Sequence, residues 1–85
     1  MQETRQYRGI SKRLAADYLE NLGGERVDGD DRLEGDDWSA ALSAETVEVA
    51  GSIELTEVTV AFDGEAGVLE ELVEDFTRKA MRAGG

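Results

Sequence analysis

The stretch from Trp38 to Gly64 constrains this chain most. Trp38, Ala40 and Leu42 alternate along the chain as a half-buried strand requires. TVEVAGSIEL and TEVTVAFDG carry the alternation on with β-branched residues, and Gly51-Ser52 supplies a hairpin turn before the longer strand. Val47, Val49, Ile53 and Leu55 share one parity, whereas Val58, Val60 and Phe62 share the other. That change at Thr56-Glu57 predicts a bulge or bend within a long strand. A sheet of this kind has to bury one of its faces, so the rest of the chain must supply a cover.

Two segments have the pattern for it. SKRLAADYLENLGG reads as a helix, with Ser11 capping its first turn and Gly23 giving a left-handed stop. Leu14, Ala15, Tyr18, Leu19 and Leu22 fall on one stripe of it. The closing helix runs from about Glu65 to Met81. Its apolar face is Val68, Leu69, Leu72, Val73, Phe76, Ala80 and Met81, with Arg78, Lys79 and Arg82 late in the helix, where they suit its dipole. ETRQYRGI ahead of the first helix reads as a short strand with Tyr7 inward. Between Glu25 and Glu45 there are turn signals at Asp28-Gly29 and Gly35-Asp36 around a short Arg32–Glu34 piece. The expected fold is α+β, in the order β-α-β4-α, an antiparallel sheet with both helices on one face. Residues 1–81 form that single domain, and 82–85 form a flexible tail ending in two glycines.

Composition removes whole classes of chemistry. The 85 residues contain no cysteine and no histidine, which excludes disulfides, thiolate metal sites and Ser–His catalysis. DGDDRLEGDD resembles a calcium loop only superficially: counted from Asp30, the third position is Arg32 and the twelfth Ala41. Neighbouring acids such as Asp36 and Asp37, or Glu70 and Glu71, point in different directions. No catalytic residue, metal or cofactor is therefore assigned, and the chain is not expected to be an enzyme. Trp38 and Tyr18 are needed for the core more than for a ligand. The net charge of −11 opposes nucleic-acid binding. It fits a halophilic cytoplasm, where ~1 M salt shortens the Debye length to ~3 Å and an acidic surface no longer repels itself. No apolar run reaches the ~20 residues of a membrane span, which points to a cytoplasmic chain without a membrane partner.

Nearly the whole chain resembles the C-terminal domain of MoaD-related proteins. The resemblance rests on Tyr7-Arg8-Gly9-Ile10, Leu14-Ala15, Tyr18-Leu19 and Leu22-Gly23-Gly24. It continues through Gly29-Asp30, Gly35-Asp36-Asp37-Trp38 and Gly51-Ser52, and ends in Phe76, Arg78-Lys79-Ala80-Met81-Arg82 and Gly84-Gly85. It implies a TATA-binding-protein-like fold, in agreement with the order read from the residues. In some prokaryotes this domain is fused behind a MoaD-like molybdopterin-synthase small subunit, which implies a MoaD-like protein among the partners.

The last residues, RKAMRAGG, resemble the ends of small archaeal ubiquitin-like modifiers and sulfur carriers. That likeness implies activation of the Gly85 carboxylate by an E1-like adenylating enzyme, then transfer to sulfur or to lysines of target proteins. Gly84 would supply freedom and Met81 and Arg82 would guide the tail, with Lys12 and Lys79 as the chain's own modifiable lysines. It also raises β-grasp as the alternative fold, although a β-grasp opens on a hairpin and closes on a strand. The alternative function is a non-catalytic interaction module of molybdenum- or tungsten-cofactor biosynthesis, binding through the open sheet face or the Tyr7–Trp38 region.

Overall fold

A computed structural model describes residues 1–84, with side chains as far as Arg82. Strand β1 (Gln2–Arg8) leads into helix α1 (Lys12–Asn21). The strands β2 (Glu25–Asp28), β3 (Arg32–Gly35), β4 (Trp38–Ala50) and β5 (Ile53–Gly64) follow, and helix α2 (Ala66–Gly84) closes the chain. The sheet order is β1-β5-β4-β3-β2, antiparallel throughout. This is the expected α+β fold with the order β-α-β4-α. It is not a β-grasp, because β1 pairs with β5 rather than opening a hairpin and the chain ends on a helix.

Local signals set the element ends. Ser11 Oγ accepts from Leu14 N at 3.0 Å, and Gly23 stops α1 with φ of 102°. Gly51 makes the β4–β5 turn at φ 56°. Elsewhere the strands depart from the sequence reading. Trp38–Leu42 and Thr46–Ala50 are one 13-residue strand, and Glu25–Asp28 forms a strand by pairing with β3. The β4–β5 register runs unbroken past Thr56 and Glu57, and its irregularity lies between Glu48 and Ala50, beside the turn. The parity change is therefore a change in which face of the strand is apolar, not a bulge.

One face of the sheet carries the core. Ala40, Leu42, Val58, Val60 and Phe62 lie beneath Ala15, Ala16 and Leu19 of α1 and Leu69, Val73 and Phe76 of α2. Burying the leucine, valine and phenylalanine side chains among them contributes ~1.5–3 kcal/mol each. The other face is bare, with Thr4 and Gln6 on β1 and Ala41 and Ser43 on β4 exposed. Among the described residues, no helix is long and apolar enough to cross a membrane.

Trp38 closes the core at one end, where glycines make room for its ring. A Cβ on Gly35 would lie 2.2 Å from the indole Nε1, and one on Gly24 would lie 2.7 Å from Cη2. Both separations are below any real contact, so the indole fills the space that side chains would need. Gly35→Ala should cost about 1–3 kcal/mol by overpacking, and Trp38→Ala about 3–5 kcal/mol by leaving a cavity. Denaturant unfolding checks both; a Gly35→Ala variant as stable as the parent would mean that the ring is not held there.

Candidate functional site at the end of α2

The carboxyl-terminal helix is fixed to the body by aromatic packing. Phe76 is fully buried and meets Tyr7 edge-on with ring centroids 4.9 Å apart, Phe62 at 5.8 Å and Tyr18 at 6.0 Å. One residue on, Thr77 Oγ1 and the Tyr7 hydroxyl are hydrogen-bonded at 2.9 Å. Burial pushes the Tyr7 phenol above its ordinary pKa, and the bond to Thr77 opposes that shift in part.

These contacts also give the helix its direction. Val68 and Leu72 lie beside Trp38, whose strand partner is Gly64, whereas Phe76 and Thr77 lie over Tyr7, which pairs with Val58. The helix thus runs back along the sheet toward the β4–β5 turn. Among the described side chains Ala80 is the last buried one of α2; Met81 follows at 71% exposure, and Arg82 is exposed. The helix runs on past the expected end at Met81 to Gly84. The cause is local: Arg82 is a cation in the last turn, favoured by the helix dipole, and alanine at position 83 is the strongest helix former. Gly85, the residue on which the sequence reading places the chemistry, lies outside the described residues.

The remaining candidates are scattered. Lys12 begins α1 and is ion-paired with Asp31. That carboxylate raises the lysine pKa above its ordinary value. Lys79 is half-buried on α2, and no ion pair among the described residues involves it. Tyr7 and Trp38 both face the core, so they form no outward binding region, and only the open sheet face remains of the two surfaces considered. Acids of the DGDDRLEGDD loop are taken by cations: Asp31 by Lys12 and Asp30 by Arg26.

No local sequence pattern signals the role of Arg26. Its guanidinium binds Asp17 Oδ1 at 2.7 Å and Asp30 Oδ1 at 3.0 Å, and also Glu20, so that it ties α1 to β2 and the following turn. The hydrogen bond it donates to Asp17 heads the causes that raise its pKa still further. The carboxylates come from a helix and a loop, so only the folded chain brings them together.

The chain matches the family model of archaeal MoaD-like proteins over residues 3–85. It belongs to that family. No curated protein matches it. Membership of the MoaD-like family suggests a small sulfur-carrier or ubiquitin-like protein.

With net charge −11, the fold of this MoaD-like chain depends on how its few cations are placed. Arg26→Met leaves Asp17, Glu20 and Asp30 facing one another, and salt screens that repulsion. The melting temperature should fall clearly at ~0.1 M NaCl and much less at ~1 M, where the Debye length is ~3 Å. Thermal melts over a salt series check this; an equal loss at every salt concentration would indicate that packing, not charge, is what Arg26 supplies.

Proposed function

We propose that this protein is a sulfur carrier or ubiquitin-like modifier whose Gly85 carboxylate is the reacting group. Family membership supports the class. The observation that carries the reading is the way α2 is held: Phe76 and Ala80 are buried against the body, and Met81 and Arg82 then emerge into solvent. An anchored helix presents the chain end at a defined place, and a glycine pair has no side chains to obstruct a narrow cleft.

The chemistry belongs to a partner of the E1-like adenylating type. A carboxylate oxygen of Gly85 attacks the α-phosphorus of ATP and pyrophosphate leaves. Sulfide or a lysine amine then attacks the carbonyl carbon and AMP departs, forming a thiocarboxylate or an isopeptide bond. In the second case the amine gives its proton to solvent. This chain supplies the carboxylate and its presentation, and no catalytic group. Arg82 and Met81, exposed beside the reacting end, are the residues an activating enzyme would grip.

The test is mass spectrometry of an amino-terminally tagged copy recovered from its own host, beside a copy lacking Gly84-Gly85. An oxygen-to-sulfur exchange at the carboxyl terminus, or diglycine remnants on lysines of other proteins, is expected only for the full chain. Identical adducts on the truncated copy, or none on either, would overturn the reading.

The chain's own lysines should differ as acceptors. Only a neutral amine attacks, and Asp31 holds the proton on Lys12 more tightly than usual. Any self-conjugation should therefore favour Lys79. Peptide mapping of adducts checks this, and preferential modification of Lys12 would contradict it.

A further inference from the structure

The β4–β5 hairpin reaches past the rest of the sheet as an arm. β3 accompanies β4 only over Trp38–Ala41, and β1 accompanies β5 only over Glu57–Asp63. Leu42 N donates to Asp31 O at 2.8 Å, so the Leu42 backbone points toward the β3 side. Alternation in an antiparallel strand then turns the N–H and C=O of Ala44, Thr46 and Glu48 the same way. Among the described residues, no strand pairs with them there. Such an edge is a template for an added strand.

The two faces of the arm differ. Val47 and Leu55 are cross-strand partners on the face turned away from the helices, with Ile53 next to them at 59% exposure. Leu55 is 38% exposed and Val49, at the irregularity, 48%. The other face holds Thr46 opposite Thr56 and Glu48 opposite Glu54. From Ser43 to Thr56 there is no Lys or Arg, and Glu45, Glu48 and Glu54 are the charged residues.

We propose that the outer edge of β4 on this arm binds an extended segment of a partner protein in which apolar and basic residues alternate. The segment joins as a further strand, its backbone bonding to Ala44, Thr46 and Glu48. Its apolar residues extend the Val47–Leu55 strip, and its lysines or arginines face Glu48 and Glu54. Charge selects this occupant over a second copy of the chain. Edge-to-edge self-pairing would bring Glu45, Glu48 and Glu54 of one arm into cross-strand contact with the same residues of another, at separations where like charges destabilise a pair directly. Acids on an exposed edge discourage self-pairing while leaving the edge open to a cation-bearing strand. This surface stands apart from the Gly85 chemistry, and its test does not depend on it.

The experiment titrates the full chain, at ~0.1 M NaCl where the Debye length is ~10 Å, with a fluorescent, end-capped peptide of alternating lysine and valine. A peptide of the same composition with the lysines and valines in separate blocks is the control. Thr46→Pro removes an outward N–H, and because the Thr46 backbone points away from β5 the β4–β5 ladder is untouched; edges tolerate proline. Leu55→Lys keeps the edge and places a cation on the strip, so a failure of the proline variant to fold leaves the test intact. Anisotropy should show the alternating peptide binding the parent chain, and binding weakened about tenfold or more by Leu55→Lys and by folded Thr46→Pro, a change of ~1.4 kcal/mol or more. No binding, equal binding of the block peptide, or affinity unchanged in the folded variants would overturn the proposal. So would sedimentation showing a dimer of the parent chain that Leu55→Lys abolishes, since the edge would then belong to a second copy.

Discussion

Phe76 touches rings from β1, α1 and β5 at once, and the position of α2 on the sheet follows from that cluster. The Tyr7–Thr77 hydrogen bond fixes the helix beside the same point, so both its rotation and its height above the strands are set within one turn. Edge-to-face pairs contribute ~0.5–1.5 kcal/mol beyond the area they bury. What matters here is less that energy than its place. Among the described side chains the buried residues of α2 end at Ala80, one helical turn beyond Phe76, and the exposed Met81 and Arg82 follow.

The core is confined to one face, and the acids lie outside it. Arg26, Lys12, Arg8 and Arg78 each hold at least one carboxylate, so these four cations tie elements together or pair along a helix. Exposed pairs of this kind contribute little singly, ~0–1 kcal/mol. Their importance to this MoaD-like chain is collective, because each also lowers the repulsion among the remaining acids. Salt screens the same repulsion.

The arm and the body use one continuous hairpin in opposite senses. In the body, Val58, Val60 and Phe62 point at the helices. Beyond the last contact with β1, Thr46, Glu48, Glu54 and Thr56 occupy that face and are exposed. The apolar residues move to the other side, Val47, Ile53 and Leu55. A strand that merely ended a turn would have no reason to keep a second apolar strip.

By itself the sequence determined the element types, their order and the core face, because periodicity and capping are local properties: Ser11, Gly23 and Gly51 act through neighbours a few residues away. It also excluded whole classes of chemistry, since a chain without cysteine or histidine offers no disulfide, thiolate metal site or Ser–His pair. Tertiary structure alone decided the rest. Glu25–Asp28 is a strand only because β3 pairs with it, and no pattern within four residues announces that. The parity change at Thr56-Glu57 read as a bulge because alternation reports which side is apolar but not where the covering helices stop. The Arg26 tie needs α1 packed beside β2, the glycine pocket needs Gly24 brought against Trp38, and the open edge of β4 needs β3 to stop short, so each exists only once the elements have packed.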